Sequence, residues 1–129
     1  MTAELRMKTL SIMYVEDNKE LRDTLSEMLA GPGRAVVAFA TGEAALAASE
    51  AGTPDLLVTD ISLPGMSGTH LARILVAKNP AQWVALCSGY EYGNYVATLG
   101  PNVRVLPKPF ELEQLEALID EINAASSPP

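Results

Sequence analysis

Glu16, Asp17, Asp60, Ser88 and Lys108 are the residues of this sequence whose types and positions could do chemistry together. Each comes at or just after the end of an apolar run of strand length: Leu10 to Val15, Leu56 to Thr59, Trp83 to Cys87, and Val103 to Leu106. If these runs are parallel strands of one sheet, the five side chains share the edge at the strands' C-terminal ends, where open α/β sheets bind ligands. Three carboxylates gathered there repel one another, since each negative charge raises the cost of ionising the next. They call for cations. A divalent ion held through oxygen ligands supplies two positive charges, and Lys108 supplies a third. Mg²⁺ takes one or two carboxylates and completes its shell with water and phosphate oxygens, which suits a place where a phosphoryl group arrives. A carboxylate such as Asp60 is a competent nucleophile toward phosphorus. Alone, Asp60 would read as a turn or helix-cap residue, because Pro64-Gly65 and Gly68 follow it closely. Its company changes that reading.

The elements that must position these residues alternate along the chain. After the first strand, Leu21, Leu25, Met28 and Leu29 recur at helical spacing, with Asn18 or Asp17 as N-cap and Gly31 as the stop. Gly31-Pro32-Gly33 breaks the chain, Ala35 to Ala38 forms a short second strand, and Thr41 opens an alanine-rich helix ending near Gly52. Asp55 to Asp60 is the third strand, and its Leu-Leu-Val core without polar alternation predicts burial on both faces. Leu71, Ile74, Leu75 and Lys78 mark a third helix that stops before Pro80, with His70 toward its solvated side. The stretch from Tyr90 to Gly100, which contains Gly93 and Asn94, specifies any fourth helix only weakly. Pro107-Lys108-Pro109-Phe110 leads from the fifth strand into a last helix carrying Leu112, Leu115, Leu118, Ile119 and Ile122. Five strands alternating with helices predict an α/β fold with a parallel sheet, right-handed crossovers and helices on both faces. The expectation is a single domain over 1–129, with its core at about 8–124 and a disordered polar tail at 125–129.

Composition narrows the function classes. The chain has 129 residues, enough for one domain with a real core, and 48% of them are hydrophobic. No apolar run approaches the roughly 18 residues of a membrane span, and Met1 to Lys8 holds no apolar signal core. Nine basic residues against sixteen acidic ones give a formal charge of -7, which argues against direct binding to nucleic acid or to an anionic membrane. The single cysteine, Cys87, excludes an internal disulfide, fits a reducing cytoplasmic compartment and reads as a buried hydrophobe. With one histidine and one cysteine, a zinc-type site cannot be assembled. The dinucleotide glycine fingerprint and the phosphate-loop motif are both absent from the sequence, which disfavours nucleotide binding.

Val15-Glu16-Asp17-Asn18, the segment from Asp60 to Gly68, Ser88-Gly89 and Lys108-Pro109-Phe110 together resemble the motifs of response-regulator receiver domains, over about Leu10 to Ile122. The resemblance implies a flavodoxin-like, doubly wound sheet of five strands in the order 2-1-3-4-5. That order is a family example and does not come from the spacing. It further implies that Asp60 is the phosphoacceptor and that Asp17, aided by Glu16 and the backbone carbonyl of Ser62, binds Mg²⁺. Lys108 and the Ser88 hydroxyl would contact the phosphoryl group. The implied partners are a histidine kinase or histidine phosphotransfer protein and a downstream protein target, with no chemistry beyond the chain's own Asp phosphorylation and dephosphorylation. Two positions depart from the family pattern: Val105 stands where an aromatic is usual, and Gly89 where alanine is common. With no aromatic at 105, the expected readout moves to Tyr90, Tyr92 and Tyr95. Two other readings compete. A phosphatase of the haloacid dehalogenase type needs a second Asp where this chain has Ser62, and a receiver-like interaction module that is never phosphorylated would not need the complete set of acids, hydroxyl and lysine.

Overall fold

The computed structural model describes residues 9–89, 96 and 98–126. The chain forms β1 (Leu10–Val15), α1 (Lys19–Leu29), β2 (Arg34–Phe39), α2 (Gly42–Ser49), β3 (Leu56–Asp60), α3 (Gly68–Lys78), β4 (Trp83–Ser88), β5 (Val103–Pro107) and α4 (Leu112–Ser126). The five strands make one sheet in the order β2-β1-β3-β4-β5, with every pairing parallel. Both the class and the order match the expectation. Observed boundaries differ from it by a residue or two. The second strand gains Arg34 and Phe39, because the ladder to β1 continues as long as Leu10 to Val15 can pair. The last helix runs to Ser126, two residues into the expected tail. Residues 1–8 and 127–129 lie outside the described residues, as do 90–95 and 97 of the stretch from Tyr90 to Gly100 where a weak helix was expected; of its described part, Leu99 N–H donates to Val96 O at 3.0 Å in a single turn.

Side-chain alternation along the strands builds two cores. Ile12 and Tyr14, Leu56 and Val58, Ala85 and Cys87, and Leu106 face one way and pack with Leu29 of α1 and with Leu115, Leu118, Ile119 and Ile122 of α4. Met13 and Val15, Leu57, Val84 and Leu86, and Val103 face the other way, against Ala45 of α2 and Leu71, Ala72 and Leu75 of α3. All five residues of β3 are buried, as a central parallel strand requires. Helix starts follow the capping chemistry: Asn18, Thr41 and Ser67 each accept a backbone N–H from the residue three positions on. Leu21, expected on the apolar stripe of α1, sits in its first turn and is 37% exposed. At the opposite end of the sheet from the strand tips, the Arg104 guanidinium lies over the Trp83 ring, 5.2 Å from its centroid, and pairs with Glu121 of α4 at 2.8 Å. Among the described residues, no helix is long and apolar enough to cross a membrane.

Candidate functional site

The two-residue alternation that builds the cores also aims the charged groups. Glu16, Asp60 and Lys108 each lie two positions beyond a residue of the first core (Tyr14, Val58 and Leu106), so they share that face at the C-terminal edge. The ladders run past the strand ends and hold them there. Glu16 N–H donates to Phe39 O at 3.0 Å, Ile61 N–H to Cys87 O at 3.2 Å, and Lys108 N–H to Ser88 O at 2.8 Å.

Glu16, Asp17 and Asp60 each offer a carboxylate oxygen, and the three oxygens lie within 4.8 Å of one another. Lys108 Nζ stands 2.6 Å from Asp60 Oδ1 and 3.6 Å from Glu16 Oε1. Asp60, Ser62, Ser88 and Lys108 line a shallow cleft of about 140 Å³, together with Ile61, Cys87 and Gly89. Asp60, Ser88 and Glu16 are buried, whereas Asp17 and Ser62 are exposed. All six residues named from the sequence therefore meet at one edge.

Electrostatics there are unbalanced in the way the sequence suggested. Burial pushes the Glu16 carboxyl up to about 7, and the neighbouring Asp60 adds to the rise against the lowering effects of the Asn18 N–H and of Lys108. Glu16 Oε2 accepts the Asn18 N–H at 3.0 Å. Its other oxygen, Oε1, is buried without a hydrogen-bond donor among the described residues, because Lys108 at 3.6 Å is within ion-pair reach but too far to donate. A buried carboxylate oxygen lacking a donor, beside two further carboxylates, fits a hard, oxygen-seeking divalent cation such as Mg²⁺. Burial works against the charge on Lys108, but its hydrogen bond to Asp60 and the negative charges of Asp60 and Glu16 outweigh this and hold its ammonium above the ordinary lysine value. Burial first, and the Asp60 charge second, push the Cys87 thiol up to about 12, so it stays a neutral packing group.

These values fix a pH dependence. With Glu16 at about 7 in the folded chain against an ordinary 4.5, the native state holds a proton that the unfolded chain has already released. Between those two values the Glu16 contribution to stability therefore falls as pH rises. The metal-free protein should lose melting temperature across this window relative to Glu16→Gln, which should show no such slope. Mg²⁺ should stabilise the wild type more at about pH 8 than at about pH 5, where a proton must leave first, with about 2.7 kcal/mol expected at a hundred times Kd. Calorimetric melts with and without Mg²⁺ test both statements, and a melting temperature indifferent to Mg²⁺ at the higher pH would exclude the acidic metal site.

Several supporting contacts escaped the sequence reading. Arg22 Nη1 donates to the main-chain carbonyls of Glu16 at 2.8 Å and Asp17 at 3.4 Å, pinning the acidic corner. Thr59 Oγ1 donates to Asp60 O at 2.9 Å. Gly68 N–H donates to Ile61 O at 2.9 Å, and a Cβ on Gly68 would collide with the Asp60 carbonyl oxygen. Val105, in place of the family's aromatic, is half-buried against the second core.

Comparison with known proteins agrees with this geometry. A family model described as the response regulator receiver domain matches residues 12–120. The DNA-binding transcriptional regulator NtrC of Salmonella typhimurium is 31% identical over 119 residues, covering 84% of this chain and 24% of that protein. The chain thus spans about a quarter of the length of the curated relatives it matches first. Among solved structures, the apo receiver domain of nitrogen regulatory protein C is 29% identical with a TM-score of 0.79, covering 93% of this chain and 98% of that one. The response regulator TrrA of Thermotoga maritima, solved in complex with Mg(2+)-BeF, is 26% identical with a TM-score of 0.77, covering 90% and 99%. With the fold, the order of its strands and the matched segment in agreement, the chain belongs to the response regulator receiver family of two-component signalling.

Proposed function

We propose that this chain is the phosphoacceptor of a two-component relay, one receiver domain taking a phosphoryl group onto Asp60 from a histidine kinase or histidine phosphotransfer protein. The observation that carries this is the pairing of Asp60 with Lys108 at 2.6 Å beside three carboxylate oxygens within 4.8 Å. In the transfer, the N–P bond of a phosphohistidine breaks, an O–P bond forms at an Asp60 carboxylate oxygen, and the departing imidazole keeps the electron pair of the broken bond. Lys108 neutralises one phosphoryl oxygen and the Ser88 hydroxyl donates to another. Mg²⁺ held by Glu16, Asp17, Asp60 and the main-chain carbonyl of Ser62 would neutralise the remaining charge. Arg22 keeps the acidic corner in place while that charge builds.

The product adds about one further negative charge beside existing acids, which gives the phosphorylated state its own balance of contacts and lets a partner discriminate it. The chemistry is confined to the chain's own aspartate, so the role is signalling in the cytoplasm and not turnover of a substrate. A charge of -7 favours a protein target over nucleic acid. DNA binding in the name of NtrC belongs to a protein about four times as long as the matched segment. Incubation with a small-molecule phosphodonor, with and without Mg²⁺, followed by intact mass, tests the proposal. One added phosphoryl group that depends on the metal is expected. An unchanged mass in both arms would leave the reading of a receiver-like interaction module.

A further inference from the structure

The segment between Asp60 and Gly68 carries both the proposed phosphoacceptor and Ser62, and it is held at two places. Its base is closed internally, by Gly68 N–H on Ile61 O and Thr59 Oγ1 on Asp60 O. Its tip is held from outside, by the first turn of α2, an element to which the sequence assigned no function. Glu43 Oε2 accepts the Met66 N–H at 3.0 Å. Gly65, in the left-handed region at φ +74, lies so close to that carboxylate that a Cβ would stand 2.5 Å from Oε2. Gly42 is also close to the loop backbone, since a Cβ there would meet Met66 O at 3.1 Å. Two consecutive residues of the helix start, Gly42 and Glu43, thus form a seat for the loop tip.

From this seat we infer that Glu43 is a positioning residue of the phosphoacceptor loop, fixing the backbone that presents Ser62 to the metal and Asp60 to the phosphodonor. The inference rests on the phosphoacceptor reading and deepens it. Glu43 touches no reacting atom. Its carboxylate replaces water as the partner of the Met66 amide, and a charge-assisted bond of this kind is worth more than a neutral one. Without it the Met66 amide loses its protein partner, and the loop samples arrangements in which the Ser62 carbonyl is misplaced. Tight metal binding and phosphotransfer both need that geometry held closely, so the loss should appear in the Mg²⁺ requirement before it appears in global stability.

Glu43→Ala and Glu43→Gln separate positioning from charge, because the Gln carbonyl oxygen can still accept the Met66 N–H. Phosphorylation by a small phosphodonor would be followed across an Mg²⁺ titration, with amide hydrogen exchange at Met66 and the melting temperature measured alongside. Glu43→Ala should raise the half-maximal Mg²⁺ concentration by about fivefold and speed Met66 exchange by a similar factor, as expected for loss of one charge-assisted hydrogen bond. Glu43→Gln should stay within about twofold of the wild type in both. An alanine variant with the wild-type Mg²⁺ requirement overturns the assignment. So does an equal loss in both variants, which would mean that the negative charge matters and the hydrogen bond does not. A wild-type protein that takes no phosphoryl group overturns the phosphoacceptor reading and this one with it, whereas normal wild-type uptake with an indifferent alanine variant overturns this one alone.

Discussion

Asp60→Asn should take up no phosphoryl group under conditions in which the wild type is labelled stoichiometrically. The substitution keeps the volume and planar shape of the side chain, so the buried end of β3 and its ladder to Cys87 should be undisturbed. It removes the nucleophile, because a neutral amide oxygen attacks phosphorus far more weakly than a carboxylate. It also takes one of three carboxylates from the cluster and removes the negative charge that the 2.6 Å contact with Lys108 neutralises. Metal affinity should therefore fall along with acceptance. Asp55→Asn is a suitable control, since Asp55 sits at the other end of β3, where its carboxylate accepts from Ser11 N–H at 2.8 Å. That variant should lose stability yet still be labelled. Persistent stoichiometric labelling of Asp60→Asn, read by intact mass, would remove Asp60 from its role.

Gly68→Ala is expected to be among the most damaging single-methyl additions in the domain. Glycine to alanine inside a helix ordinarily gains about 0.5–1 kcal/mol, so propensity alone predicts a more stable protein. Crowding reverses the sign. Gly68 is the first residue of α3, it is buried, and its φ lies outside the left-handed region, so close approach and not conformational freedom requires glycine here. A Cβ would overlap the Asp60 carbonyl oxygen and crowd Thr59 Oγ1 at 3.0 Å. Relief requires moving either the helix start or the end of β3, at a cost of about 3 kcal/mol or more. The urea midpoint should drop accordingly, and phosphorylation should slow because the displaced atom is the main chain of Asp60 itself. Gly52→Ala, where nothing lies within 4 Å of the added carbon, should leave both measurements unchanged. Wild-type stability and labelling in Gly68→Ala would show that the loop accommodates the methyl group without shifting Asp60.

The difference between these two positions shows how much the sequence makes legible. Asp60 stands out because an apolar run ends on it, and the same signal finds Glu16, Asp17, Ser88 and Lys108. Polar groups set immediately after long apolar runs mark the sheet edge at which the strands end. Gly68, Arg22, Thr59 and Glu43 carry no such mark. Arg22 and Glu43 occupy helix positions that a hydrophobic-stripe reading assigns to solvent, and their partners are main-chain atoms, which no side-chain pattern displays. Thr59 reads as one more β-branched residue in a strand. That Glu16, Asp60 and Lys108 share one face follows from counting by twos, but only after the register of β1, β3, β4 and β5 is known. The missing aromatic at Val105 was visible at once, and the tyrosines named in its place lie outside the described residues.

The stacking of Arg104 on Trp83 has a practical consequence for spectroscopy. Trp83 is the only tryptophan in the chain, and it opens β4 while Ser88 closes it. Five strand steps of about 3.3 Å separate the indole from the acidic edge by about 17 Å. The ring is half-buried, with a guanidinium over its face that is anchored to α4. Its emission should therefore report loss of the packing between β4, β5 and α4, and change sharply when the domain unfolds. Adding a cation or a phosphoryl group at the far edge should leave it nearly silent. The intrinsic fluorophore of this protein is a thermometer of its fold and a poor witness of its chemistry, so a tryptophan placed nearer the cleft would be needed to watch the reaction by light.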